Sequence, residues 1–138
     1  MGDIRKLARL EVIVLVLFVA LKLSRPTILA SAAPEWLKIF SLSFPNLCEA
    51  IIGIMTLTML GLLFKQRFLS PGKQLKEQSI YWLAAIFTTL YVTTQELKWH
   101  NLGGHNVYDP MDVLFSIIGV AIGLLLLFKI QPKVQPDN

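Results

Sequence analysis

The sequence predicts an all-α integral membrane protein, built as a four-helix bundle with both termini in the cytoplasm. Hydrophobic residues make up 54% of the chain and charged residues only 16%, whereas a soluble domain has roughly 25% charged residues. The apolar residues are gathered into blocks that approach the about 20 residues a helix needs to cross a bilayer. Helices are expected in these blocks because backbone groups in lipid must be satisfied within their own segment.

Four blocks define the spans of a predicted single domain, residues 1–138. The predicted spans cover about residues 7–24, 46–64, 80–97 and 111–128. Glu11 and Lys22 bound the uncharged core of the first span, and we expect both side chains to reach outward from it. We interpret that span as retained rather than as a cleaved signal peptide, because no small-residue cleavage site follows closely. Residues 131–138 form a polar tail.

The segment between the first two spans contains another helical pattern. Residues 33–40 place Pro34 early and put Trp36, Leu37 and Phe40 on one side. Proline is favoured at the first helical position, and a one-sided apolar pattern is typical of a helix lying in the membrane interface. The sequence therefore predicts a short interfacial helix between spans 1 and 2.

Basic residues set the predicted orientation. Nine of them fall on the side that holds both termini: Arg5, Lys6, Arg9, Lys65, Arg67, Lys73, Lys76, Lys129 and Lys133. The other side holds four: Lys22, Arg25, Lys38 and Lys98. The positive-inside rule places the first side in the cytoplasm, which predicts a multi-pass membrane protein with both termini inside. Because these residues flank apolar blocks, the net charge of +4 does not indicate nucleic-acid binding.

In this orientation, acidic residues from three helices reach the outer ends of the spans. The acids are Glu49 on span 2, Glu96 on span 3, and Asp109 and Asp112 at the start of span 4. Residues three or four apart share a helix face. Three stripes follow from this spacing: Glu49, Gly53 and Thr56; Thr89, Thr93 and Glu96; and Asp112, Ser116, Gly119 and Gly123. We expect the stripes to face one another and to open into an acidic pocket at the outer surface.

Some of these residues also have a purely structural interpretation. The run Asp109-Pro110-Met111-Asp112 has the composition of a helix start, with Asp at the N-cap and Pro at the next position. Asn46 and Glu49 have the spacing of a capping box. His100 and His105 are candidate ligands for a divalent cation, together with the carboxylates. No tight motif such as HExxH accompanies them, and such residues are more often plain loop histidines.

One stretch of the chain, from Glu96 to Gly123, combines these features in a spaced pattern. A Glu near a helix end is followed by a short loop, by the acidic element Tyr108-Asp109-Pro110-Met111-Asp112, and by Ser116, Gly119 and Gly123. This pattern resembles the second half of VanZ-like membrane proteins, a family named for a teicoplanin-resistance protein, in which Asn is usual where Ser116 stands. The resemblance implies a cell-envelope setting, in the plasma membrane of a bacterium.

The resemblance implies a protein that binds a lipid-linked or amphipathic ligand at the outer leaflet and affects susceptibility to glycopeptides such as teicoplanin. Its partners would be membrane lipid and a lipid-linked envelope precursor. Lys22, Arg25, Lys38 or Lys98 would hold a phosphate. Glu96 and Asp112 would position polar groups or a cation.

The residues leave three alternative functions open. A membrane enzyme would use Glu96 and Asp112 as an acid–base pair, if burial separates their pKa values. An ion-coupled or proton-coupled transporter suits intramembrane acids, and a chain of four helices would then form a homo-oligomer. A structural subunit would use its carboxylates only to cap helices and to order an interface.

Overall fold

The computed structural model describes residues 2–69, 75–96 and 109–133. Four helices follow in order: α1 (Gly2–Ala30), α2 (Glu35–Phe68), α3 (Glu77–Glu96) and α4 (Pro110–Ile130). Within the described ranges every regular element is a helix and no strand is present. The predicted all-α bundle is therefore confirmed.

Three of the helices are long and apolar enough to cross a membrane: α1 from Ile4 onward, α2 and α4. The most apolar window of α1 contains no buried residue, and its Val16 and Leu23 are 63% and 75% exposed. Apolar surface on this scale is suited to lipid chains and not to water, so the protein belongs in a membrane. α3 is not among the three because Thr, Gln and Tyr dilute its apolar positions, although it packs against α2 and α4.

α2 is one continuous helix of 34 residues, about 51 Å long at 1.5 Å per residue. The prediction of a separate interfacial helix is therefore wrong, because residues 35–40 are helical but form the first turns of α2. The helix passes through Pro45, which removes one backbone hydrogen bond and is buried. The capping-box interpretation of Asn46 and Glu49 fails for the same reason, since both lie inside the helix. α1 likewise extends beyond its predicted end at residue 24 and includes Pro26.

The helix directions follow from pairs of contacting residues. α1 and α3 run antiparallel to α2, whereas α4 runs parallel to it. The pairs are Glu11–Thr56 and Lys22–Glu49 for α1, Thr88–Gly53 and Ile80–Gly61 for α3, and Gly119–Leu47 and Gly123–Ile51 for α4. The starts of α1 and α3 therefore share one end of the bundle with the ends of α2 and α4.

Most of the basic residues lie at that end of the bundle, hereafter the basic end. Its described members are Arg5, Lys6, Arg9, Lys65, Arg67, Lys76, Lys129 and Lys133. The first and last described residues lie there as well. The fold thus brings together the basic residues that the sequence assigns to one side of the membrane.

The core lies along the seam between α2 and α4. Gly119 and Gly123 are buried on α4. A Cβ atom at Gly119 would collide with the carbonyl oxygen of Leu47 and lie 2.9 Å from the Cβ of Ala50, and one at Gly123 would collide with the side chain of Ile54. Small residues let membrane helices approach closely, so these glycines set the spacing of α2 and α4.

Gly119→Ala is expected to lower the free energy of unfolding by about 1–3 kcal/mol, the usual cost of overpacking. A loss of stability would be informative, because Ala is otherwise favoured over Gly inside a helix by about 1 kcal/mol. Gly53→Ala is the control, since its Cβ would lie 3.2 Å from a methyl carbon of Thr88, and we expect a smaller loss. Unfolding in detergent micelles measures both variants, and an equal loss at Gly53 would contradict the role assigned to Gly119.

Candidate functional site

The acidic element forms the start of α4. The Asp109 side chain accepts a hydrogen bond of 2.9 Å from the backbone N–H of Met111, and Pro110 is the first helical residue. Asp109 is therefore the N-cap, and Pro110 occupies a position where its missing N–H costs no hydrogen bond. The cap predicted from the sequence is confirmed.

Asp112, in the first turn of α4, has a carboxylate oxygen without a partner. Its Oδ1 is buried and accepts no hydrogen bond from any group in the described ranges. The helix dipole favours an acid in the first turn, but a buried polar atom without its hydrogen bond costs on the order of 1–3 kcal/mol. Asp112 thus offers an acceptor that a bound group would satisfy.

The early turns of α2 lie beside the start of α4 and contribute a second unsatisfied group. Gly119 lies against Leu47, and the rings of Phe40 and Phe115 are 6.1 Å apart. Between these two contacts lies Ser43 of α2, which is fully buried and whose hydroxyl has no hydrogen-bond partner among the described residues. Ser43 is not among the predicted site residues, because this serine lies before the predicted start of span 2.

The register of the two helices places Asp112 and Ser116 along the same stretch of the seam as Ser43. Ser116 is 3% exposed and lies one turn after Asp112 on the face of α4 that contacts α2. Asp112, Ser116 and Ser43 are hereafter the polar seam. Its chemistry is one carboxylate and two hydroxyls, which suits a ligand that offers hydroxyl or amino groups, or a cation.

Glu49 lies on a different side of α2. Its carboxylate is 3.3 Å from Nζ of Lys22 in α1, and the same ammonium lies 4.6 Å from the ring centroid of Phe18. The Lys22 and Glu49 side chains are 51% and 37% exposed. These two predicted site residues are therefore paired with each other, about 9 Å along α2 from Ser43.

The prediction that three stripes face one another is wrong. The α4 stripe does face α2, but Glu49 and Thr56 contact α1, and Gly53 contacts α3. On α3 the residue against Gly53 is Thr88, whereas Thr89 donates to a carbonyl of its own helix. α2 packs against all three other helices, so residues of one stripe reach different neighbours.

The other predicted site residues include several that the structure does not describe. Arg25 is half-buried in α1, directly before Pro26. The side chain of Glu96, together with His100 and His105, lies outside the described residues. Among the side chains that are described, no three of His, Cys, Asp and Glu come close enough to hold a metal ion.

Glu11 makes a polar contact that the sequence analysis did not anticipate. Its carboxylate accepts a hydrogen bond of 2.5 Å from the hydroxyl of Thr56. Thr56 lies in the middle of the apolar stretch 46–64, roughly 12–15 Å along the axis from either limit. The expectation that Glu11 reaches outward from its span is wrong, because α1 begins at Gly2 and carries Glu11 to its third turn.

No family model, curated protein or solved structure matches this chain. None of these comparisons tests the resemblance to VanZ-like proteins, which rests on Glu96, the acidic element, Ser116 and the two glycines of α4. The described residues among them have distinct parts in the fold. Asp109 caps the helix, Gly119 and Gly123 close the seam, and Asp112 keeps an unsatisfied oxygen.

Asp109→Ala is expected to lower the free energy of unfolding by about 1 kcal/mol, because the N-cap loses its acceptor. Asp112→Asn is expected to leave the free energy of unfolding nearly unchanged, because the buried Oδ1 accepts no hydrogen bond from the described residues. Chemical unfolding in one detergent measures both. A loss at Asp112→Asn as large as at Asp109→Ala would show that Asp112 is itself a structural cap.

Proposed function

We propose that this chain is a multi-pass cell-envelope protein that binds the polar part of a lipid-linked or amphipathic ligand at the outer membrane surface. The polar seam carries the proposal, because Asp112 Oδ1 and the Ser43 hydroxyl are buried and unsatisfied. A ligand with hydroxyl or amino groups would form hydrogen bonds with both groups. With the basic end in the cytoplasm, as the positive-inside rule requires, the seam faces outward.

The surroundings of the polar seam favour an amphipathic ligand over a fully soluble one. Trp36 and Phe40, in the first turns of α2, are 68% and 37% exposed. Aromatic side chains of this kind sit at the boundary between headgroups and acyl chains, so a ligand tail would remain in lipid while its head reaches the seam. Because Lys22 is already bonded to Glu49, Arg25 is the better candidate for a ligand phosphate.

The likeness to VanZ-like proteins supplies the cellular consequence of this binding. A protein that holds a lipid-linked envelope precursor or a surface lipid would change what a glycopeptide meets at the cell surface. Lower susceptibility to teicoplanin is the expected outcome in a host that lacks other protection.

The inhibitory concentration of teicoplanin for a susceptible host is expected to rise on expression of the wild-type chain, and to return to the host value with Asp112→Asn. Asp109→Asn is the matched control. It removes a charge from the same helix start but keeps a side chain that caps as well as Asp, so protection should persist. Membrane levels are matched by immunoblotting. If the Asp112→Asn chain protected the host as well as the wild type does, the polar seam would have no part in the proposed function.

Proton-coupled transport is a second candidate function, favoured by the Glu11–Thr56 hydrogen bond. A carboxylate halfway along the apolar stretch of α2 is costly in lipid, and such groups are typical of ion and proton pathways. Transporters bind their ions near the bilayer midplane, which matches the depth of Glu11 better than that of Asp112. A homo-oligomer would supply the additional helices.

Liposomes that contain the purified chain and a trapped pH-sensitive dye provide the test of this second function. A potassium gradient with valinomycin drives proton uptake, which Glu11→Gln is expected to abolish because the amide cannot bind a proton at neutral pH. The Gln oxygen can still accept from Thr56, so the fold is retained. Glu11→Asp is the control that keeps the acid. Equal uptake by wild type and Glu11→Gln would exclude Glu11 as a proton carrier.

A further inference from the structure

A cleft at the basic end is separate from the polar seam. It has a volume of about 280 Å³ and lies between the start of α3 and the end of α4. Lys76 and Gln78 line it from the α3 side, and Gln131 and Lys133 from the α4 side. All four side chains are exposed and can therefore meet a ligand at the membrane surface.

The chain that follows α4 is fixed across the start of α3. The Tyr81 hydroxyl donates a hydrogen bond of 2.7 Å to the carbonyl oxygen of Pro132. Gln131, directly before it, has a φ of 48°, and its N–H donates to the carbonyl of Leu127 at 2.8 Å. A left-handed backbone is unfavourable for a residue with a side chain, and the Tyr81 hydrogen bond offsets that cost. The turn brings Lys133 to the rim of the cleft.

The two lysines of the cleft are exposed, and the neighbouring acid Glu77 is already bonded to a third lysine. Glu77 also lines the cleft, but its carboxylate is 2.8 Å from the ammonium of Lys65 in α2. The hydrogen bond from Lys65 is the main reason why the pKa of Glu77 is lowered, and the charge of Lys133 contributes. Lys76 and Lys133 form no hydrogen bond or close ion pair with the residues that the structure describes.

The apolar wall of the cleft indicates its depth in the membrane. Tyr81 and Phe128 line it, with ring centroids 5.9 Å apart in an edge-to-face arrangement. Trp82 lies against the same Phe128 ring at 5.9 Å and is 54% exposed. Exposed Trp beside buried Tyr is typical of the level of lipid headgroups. We therefore expect the cleft to open at the level of the phosphate groups of the bilayer.

We propose that this cleft binds an anionic phosphate group between Lys76 and Lys133, with the amides of Gln78 and Gln131 as further donors. The phosphate group can belong to an anionic lipid headgroup of the membrane or to free phosphate in the aqueous phase. Basic pockets between transmembrane helices on the cytoplasmic side suit anionic headgroups. A bound phosphate links α3 to the end of α4 and stabilises the basic end.

Nanodiscs of neutral phosphatidylcholine, with and without phosphatidylglycerol, provide the test. Phosphatidylglycerol is expected to raise the thermal unfolding midpoint of the wild-type chain. In the double variant Lys76→Gln, Lys133→Gln the apparent affinity for this lipid should fall roughly tenfold or more. This variant loses both ammonium groups that hold the phosphate, in addition to their share of the general attraction to an anionic surface. The matched control is Arg67→Gln, Lys129→Gln, which removes two charges from the same end but outside the cleft. Equal losses in the two double variants overturn the proposal.

Inorganic phosphate added to the neutral nanodiscs distinguishes the two sources. A shift with phosphate alone that the cleft variant loses identifies a soluble phosphate, and a shift only with phosphatidylglycerol identifies the headgroup. Lys76→Arg, Lys133→Arg keeps both charges and should retain binding, which separates the loss of charge from a loss of folding. No shift with either probe overturns the proposal. Asp112 is unaltered throughout, so the outcome is independent of the outer site.

Discussion

The close approach of α4 to α2 is the constraint on which the polar chemistry of the bundle depends. A Cβ atom at Gly119 would meet the backbone oxygen of Leu47, which cannot move aside as a side chain can. This contact fixes the register of two parallel helices. Ser116 and Asp112 lie on the same face of α4, one and two turns before Gly119, so the packing carries a carboxylate into the seam. Burial of Asp112 is thus a consequence of helix packing.

The central position of α2 explains why the acids of the chain do not converge. Successive residues of a helix point in directions about 100° apart, and α2 has a neighbour on three sides. Each acid near it therefore has a different environment. Glu49 is paired with Lys22, Glu11 accepts from Thr56, and Asp112 keeps an oxygen without a donor. Three different environments imply three different roles, and only the last leaves a group for a ligand to satisfy.

Hydrophobicity and helix-end chemistry were sufficient to predict four helical segments, the N-cap at Asp109 and the face of α4 that meets α2, but not the full lengths of α1 and α2. They were insufficient for tertiary contacts. The predicted start of span 2 at residue 46 was wrong, because α2 begins at Glu35 and continues through the buried Pro45. Glu11 seemed to end a span because it is charged, whereas its depth depends on how α1 lies against α2. Ser43 gave no signal, since a lone serine becomes informative only when its burial is known.

The two ends of the bundle differ in what they leave unsatisfied, and this difference supports one orientation. The polar seam leaves acceptor oxygens and hydroxyls, whereas the cleft leaves the ammonium groups of Lys76 and Lys133. The cytoplasmic leaflet carries the anionic lipids that attract such cations, and the outer surface presents the hydroxyl-bearing and amino-bearing heads that the seam would accept. Lys76 and Lys133, two of the residues in the positive-inside count, thus have a specific use in the proposed orientation. In that orientation, with the basic end in the cytoplasm, the parallel packing of α4 on α2 puts Asp112 at the outer surface.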